Sequence, residues 1–209
     1  MRAAATRGSV TRSPVGFGAL GLVAVLLLAG CSAPDQLAID YGSGGNKNYV
    51  AGDGSILEIT PANRAAPIVF NGVTDGGADV SSAEFKGEVL VVNFWAGYCA
   101  PCRTEAPELE KLSQKWAGKG AAFLGVNTYD EPAQAQAFAR KYGVTYPSVI
   151  DVHSGAVQLA FAGTVAPSAL PTTIVLDGSG RVAARILGQV ESASILDAII
   201  TRVVEGDGT

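Results

Sequence analysis

Val91-Val92-Asn93-Phe94-Trp95-Ala96-Gly97-Tyr98-Cys99-Ala100-Pro101-Cys102 is the stretch on which the fold turns. Its first half belongs to a nearly continuous apolar run over residues 88–95, the composition of a strand buried on both faces of a sheet. Its second half sets Pro101 where a helix would begin. A first-turn residue needs no N–H, and the proline ring already holds the helical φ. Leu109, Leu112 and Trp116 fall at helical spacing and carry that helix over residues 101–116, with Pro107 inside it as a predicted kink. A buried strand thus hands two cysteines to a helix N-terminus.

Beyond this stretch, residues 121–127 read as a second buried strand. Pro132 opens and Gly143 closes a helix over 132–142. Residues 148–151 predict a short strand. Residues 172–177 and 181–187 are strands joined by the turn Gly178-Ser179-Gly180, and 192–204 is a closing helix. Upstream, 47–50 and 55–59 flank Gly52-Asp53-Gly54 and predict a small hairpin. Residues 67–73 read as a further short strand and 74–78 as a Gly/Asp loop. Strands alternating with helices, then a terminal hairpin and helix, imply an α/β fold whose central sheet is covered on both faces. No internal repeat is visible.

Three cysteines, Cys31, Cys99 and Cys102, allow at most one intramolecular pair. Cys99 and Cys102 are the obvious one. A CxxC can be half of a zinc site, but zinc takes about four ligands. There is no second CxxC, and His153 is the single histidine. A purely structural bridge is a second reading, though so short a loop constrains the unfolded chain little. Redox chemistry is the third. Unpaired N–H groups and the dipole at a helix N-terminus stabilise negative charge. They favour a thiolate at Cys99, and the thiolate is the attacking species. Cys99 would attack a partner disulfide and Cys102 would resolve the mixed disulfide.

The stretch 91–102 resembles the active-site segment of the thioredoxin superfamily, and Leu170-Pro171-Thr172-Thr173 resembles that family's cis-proline loop, which faces the cysteines. With Leu28-Ala29-Gly30-Cys31 near the N-terminus and a helix-bearing insertion near 130–150, the chain resembles the TlpA/ResA/DsbE branch over roughly residues 81–205. The resemblance implies a thioredoxin-like three-layer fold with a central mixed sheet, an N-terminal β extension and that insertion. It implies extracytoplasmic thiol–disulfide exchange, often reduction of apocytochrome c before haem attachment, with electrons from a membrane thiol carrier of the CcdA/DsbD type.

Asn93 departs from ordinary thioredoxins, whose matching position is a buried Asp that helps move protons at the cysteines. An amide cannot titrate. Glu105, three residues beyond Cys102 and on the same helix face, matches an acidic residue of the ResA group. In a partly apolar pocket its pKa would rise into a range suited to proton transfer. A solvated helix glutamate is the bland alternative, since Glu108 and Glu110 stand close by. A cis bond at Pro171 would fix a tight turn and leave the backbone of Leu170 free to pair with an extended substrate. Trp95 and Tyr98 are expected to flank the cysteines and shape the substrate surface. Trp116 reads as core, and His153 has no visible partner.

The N-terminus explains the odd cysteine. Arg2, Arg7 and Arg12 precede an uncharged apolar run over 15–29, the layout of a secretory signal. The run is about fifteen residues where a membrane span needs about 20. It ends in Leu28-Ala29-Gly30-Cys31, which resembles a bacterial lipobox whose cysteine is lipidated. The expected organisation is a signal peptide over 1–30, a Gly/Ser-rich tether over 31–46 and the thioredoxin-like domain with its extension over 47–209. The chain would then be lipid-anchored on the outer face of the membrane, where a cysteine pair can be oxidised. Nineteen acids against 15 bases, with no Lys/Arg run after residue 31, argue against a nucleic-acid partner.

The expectation is a lipoprotein thiol–disulfide oxidoreductase with Cys99, Cys102 and Glu105 at its centre. It needs no metal or other cofactor beyond its own Cys99–Cys102 disulfide, and its partners are protein thiols and disulfides. Two rivals stand beside it: an oxidant that makes disulfides in secreted proteins, and a non-catalytic binding lipoprotein on the same fold.

Overall fold

The computed structural model describes residues 56–163 and 170–206. The expected signal peptide, Cys31, the tether and residues 47–50 of the predicted hairpin lie outside those residues. Eight strands and four helices are described: β1 (Ile56–Glu58), β2 (Asn71–Val73), β3 (Asp79–Ser81), β4 (Val89–Trp95), α1 (Ala100–Trp116), β5 (Ala121–Asn127), α2 (Pro132–Tyr142), β6 (Ser148–Ile150), α3 (Ala156–Ala160), β7 (Thr172–Leu176), β8 (Val182–Leu187) and α4 (Ala193–Val204).

Six strands form one mixed sheet in the order β1-β8-β7-β4-β5-β6. β4, β5 and β6 run parallel, linked by α1 and α2 as two crossovers. β7, β8 and β1 continue the sheet in antiparallel pairs. The α/β class and the mixed central sheet are as expected. β4 lies at the centre and every residue in it is buried.

Alternation along β4 divides the core. Val89 and Val91 face Leu109 and Leu112 of α1 and Leu196, Ile199 and Ile200 of α4. Leu90, Val92 and Phe94 face the other way, into Phe70, Val157 and Phe161. Phe94 meets Phe161 edge-on with centroids 5.2 Å apart, a favoured aromatic geometry. Truncating one of the fully buried leucines or isoleucines to Ala would cost about 2–5 kcal/mol. Asn93 therefore points toward α1, because the side-chain period of two puts it on the face of Val89 and Val91.

Differences from the sequence reading are local. Ile56–Glu58 pairs with β8 rather than with a described hairpin partner. The strand expected over 67–73 shortens to Asn71–Val73, and Thr74–Ala78 turns it into β3, which the sequence reading missed. α1 runs through Pro107 without interruption. Gly143 takes the left-handed conformation that ends α2. Helix α3 is too short for periodicity to register. No helix among the described residues is long and apolar enough to cross a membrane.

Candidate active site

β4 delivers the cysteines past its C-terminal end. Trp95 ends the strand, Ala96 to Tyr98 turn, and Cys99 caps α1. The Cys99 N–H donates to Ala96 O at 3.1 Å, closing that turn. Cys99 Sγ accepts the backbone N–H of Cys102 at 3.2 Å, so sulfur occupies the capping position a Ser or Asp oxygen would otherwise take. This is the electrostatic setting that favours a thiolate when the bond opens. Cys99 and Cys102 are joined as a disulfide with Cα atoms 5.3 Å apart.

Cys99 is less open than its place at the helix start suggests. It is 6% exposed and Cys102 2%. Both pack with Trp95, Ala96 and Ala135, with Phe138 and Leu170 alongside. Trp95 donates from Nε1 to Ser148 Oγ at 3.2 Å and stacks on Phe138 at 4.2 Å. It forms the inner wall of the site. Tyr98 is the reverse, well exposed beside Cys99. The Leu170–Pro171 bond is cis, and Leu170 joins the cysteine cluster. Trp95 and Leu170 thus join the disulfide in one cluster, while Tyr98 stands beside Cys99 with its ring against Tyr129.

Glu105 is buried, at 1% exposure, which removes the solvated alternative. Asn93 Nδ2 donates to Glu105 Oε1 at 2.9 Å and also reaches Thr173 Oγ1 at 3.1 Å. The Val190 N–H donates to Glu105 Oε2 at 2.8 Å. Burial pushes the Glu105 carboxyl up from 4.5 to about 7, against the pull of the Val190 and Asn93 bonds. Asn93 therefore holds the carboxyl as a donor, a role that only an uncharged or cationic side chain can fill. Tyr146 lies half-buried nearby. Burial first, and then the charges of Glu105 and Glu110, push its phenol up. A cavity of about 10 Å³, the size of one water, is lined by Asn93, Trp95, Cys102, Phe138, Tyr146 and Ser148.

The sequence reading missed the hydrogen-bonded lock beside Cys99. Asp130 Oδ2 accepts the Gly97 N–H at 2.5 Å and Asn127 Nδ2 at 2.8 Å. Asn127 Oδ1 in turn accepts the N–H groups of Tyr129 and Asp130. Asn127 and Asp130 bracketing the end of a strand are a legible Asx-turn signal; Val190 carries none, because it acts through its backbone. Arg103 closes the turn from the other side, its guanidinium donating to Gly97 O and Tyr98 O. His153 does have a partner, Glu131, at 2.9 Å on the surface. Trp116 packs on the core and donates to Asp197 at 2.9 Å. A larger cavity of about 150 Å³ lies at the opposite end of β4, bounded by Pro67, Phe85, Leu90 and Gly180. Among the described residues no three metal-ligating side chains gather.

Residues 60–200 match the Redoxin family model. Over 154 residues the chain is 31% identical to the thiol:disulfide interchange protein HelX of Rhodobacter capsulatus, covering 73% of this chain and 80% of that one. It is 32% identical over 106 residues to the thiol-disulfide oxidoreductase ResA of Halalkalibacterium halodurans, covering 51% of this chain and 57% of the relative. The chain thus spans little more than half of that relative's length. Among solved structures it is similar to a secreted thiol-disulfide isomerase from Corynebacterium glutamicum, with a TM-score of 0.66, 30% identity, and coverage of 75% of this chain and 96% of that one. It is also similar to a DsbF homologue from Corynebacterium diphtheriae, with a TM-score of 0.63, 32% identity, and coverage of 74% and 97%.

Proposed function

The chain belongs to the Redoxin family, and we propose that this thiol–disulfide oxidoreductase runs in the reducing direction, outside the cytoplasm and lipid-anchored through Cys31. Its proposed target is the cysteine pair of apocytochrome c, and a CcdA/DsbD-type membrane carrier re-reduces it. Cys99 attacks the partner disulfide, Cys102 resolves the mixed disulfide, and Glu105 takes up and returns the proton of Cys102. Trp95, Tyr98, Leu170 and Pro171 line the site that receives the substrate.

The observation that carries the direction is the buried Glu105. A strong oxidant owes its potential to a stabilised thiolate in the reduced form. Here the helix N-terminus stabilises the Cys99 thiolate, but a carboxyl one turn beyond Cys102 opposes negative charge there. Cys99 Sγ is met by an uncharged donor, the Cys102 N–H, and Arg103 is engaged by the carbonyls of Gly97 and Tyr98. The apocytochrome target rests on the resemblance of 91–102, 170–173 and the 130–150 insertion to the TlpA/ResA/DsbE branch. The location rests on the charged and apolar leader before Leu28-Ala29-Gly30-Cys31.

The test is an oxidised Cys-x-x-Cys-His peptide mixed with the pre-reduced protein. The proposal expects the peptide thiols to appear as Cys99–Cys102 closes, and Cys99→Ser to be inert. Net oxidation of a reduced peptide by the disulfide form would favour the second reading, an oxidant or isomerase. That reading is supported by the likeness to the secreted isomerase of C. glutamicum. Mass spectrometry of membranes should find a glyceryl-lipid-modified Cys31 at the mature N-terminus; cleavage elsewhere would rule the anchor out.

A further inference from the structure

Tyr98 and Tyr129 are 60% and 65% exposed, yet their rings sit edge to face with centroids 4.8 Å apart. They come from different loops, one before Cys99 and one after β5. Each loop is fastened to the other by a single carboxylate. Asp130 Oδ2 takes the Gly97 N–H from the first loop, while Asn127 Nδ2 holds the same oxygen from the second. The approach is close enough that a Cβ on Gly97 would lie 3.0 Å from that oxygen. The Thr128 N–H adds a bond to Trp95 O at 3.2 Å. Two large aromatic side chains exposed to solvent and packed on each other, beside a reactive cysteine, have the make-up of a binding anchor. The hydrogen bonds beneath them fix the backbone that carries them, which lowers the entropy lost when a partner docks.

We infer that Asp130 is a positioning residue for the exchange reaction: by tying the Cys99 turn to the Tyr129 loop it builds one two-tyrosine ledge that seats the polypeptide segment carrying the partner cysteine. The inference rests on exchange at Cys99–Cys102 but not on its direction. The occupant is an extended segment of a protein substrate, with a side chain next to its cysteine lying across the two rings. Tyr98 adjoins Cys99 in sequence, about 3.8 Å from Cα to Cα. The ledge therefore continues the surface where the mixed disulfide must form. A disulfide too small to reach the rings gains nothing from it.

The experiment mixes the pre-reduced protein, whose Cys99–Cys102 dithiol is the reductant, with insulin as a protein disulfide or dithiobis(nitrobenzoate) as a small one, and reads KM and kcat as the half-saturating concentration and limiting rate of that single turnover. Turnover of both by the wild type and of neither by Cys99→Ser establishes exchange itself, so a failure of exchange is distinguishable from a failure of the ledge. Asp130→Ala should raise KM for insulin about fivefold or more relative to its effect on the small disulfide, with kcat less affected. Asp130→Asn removes the charge but keeps both bonds of the lock, since its amide oxygen accepts from the Gly97 N–H and from Asn127 Nδ2 as the carboxylate oxygen does. It should hold KM to within about twofold of the wild type, which a role for the charge itself would not allow. Should Asp130→Ala lose its native near-ultraviolet circular dichroism, Tyr129→Ala decides, because that side chain is exposed. It should show the same selective rise. Equal losses on both disulfides, no loss, or Asp130→Asn as impaired as Asp130→Ala would overturn the inference.

Discussion

Asn93 on the central strand donates a hydrogen bond to Glu105 on the active-site helix, 2.9 Å away and shut off from solvent. Where thioredoxins carry an acid on the strand, this chain carries the acid on the helix and its donor on the strand.

That pair gives folding stability a pH slope. The Glu105 carboxyl is raised in the folded state from 4.5 to about 7. A raised acid binds its proton more tightly when folded, so its contribution is full below the unfolded value and is lost as pH climbs through the folded one. Wild-type stability should fall by on the order of 3 kcal/mol between about pH 4.5 and 7.5. Glu105→Gln should flatten that slope in urea melts across the range. An unchanged slope would mean the carboxyl does not titrate there.

The order of attack is readable from the cap geometry. Cys99 holds the capping position and is the more exposed of the two cysteines, while Cys102 lies one turn inward. Cys102→Ser should trap mixed disulfides with partners in non-reducing gels, and Cys99→Ser should not. Trapping by Cys99→Ser alone would reverse the assignment.

Asp177 anchors the turn between β7 and β8. Its carboxylate holds Arg64 Nη1 and Arg181 Nε at 3.0 Å each and accepts the N–H groups of Ser179 and Arg181. Burial pushes its pKa up, but those bonds outweigh burial and hold it below 3.8. A lowered acid contributes stability above its unfolded value and loses it as pH falls through the folded one. Asp177→Ala should cost about 1–3 kcal/mol at neutral pH, since it removes the acceptor shared by Arg64, Arg181 and the N–H groups of the turn. Its difference from wild type should shrink as pH falls below the ordinary aspartate range. A loss that stays constant into acid would show that packing, not charge, is at stake.

Gly125 lies under the tryptophan wall. A Cβ there would stand 2.2 Å from Ser148 Oγ and 2.9 Å from Trp95 Nε1. Gly125→Ala should therefore break the Trp95–Ser148 bond, destabilise the fold by about 1–3 kcal/mol, and shift tryptophan emission. Unchanged emission and stability would show that the wall can yield.

The legible part of this molecule is the part that periodicity and punctuation control. β5 and α2 lie where the apolar run, Pro132 and Gly143 put them, and the cysteines sit at the strand-to-helix step read from residues 88–102. Glu105 is visible through helical spacing and resemblance, but its Val190 partner acts through the backbone and comes from 85 residues away. The Asp130 lock joins residues 33 positions apart. Burial of Cys99 depends on Leu170 and Ala135, which only the folded sheet brings near. Short elements such as β3 and α3 offer too few residues for any period to emerge.

Whether this protein gives or takes electrons is decided by the reduction potential of Cys99–Cys102, measured by equilibration with glutathione or thioredoxin. A buried carboxyl behind Cys102 opposes the thiolate that the Cys102 N–H and the helix N-terminus favour at Cys99, and so limits the reduced form's stabilisation. A reductant built this way should have a value near or below thioredoxin's, about -270 mV. A value near about -120 mV, where a strong oxidant such as DsbA lies, would contradict the reducing role.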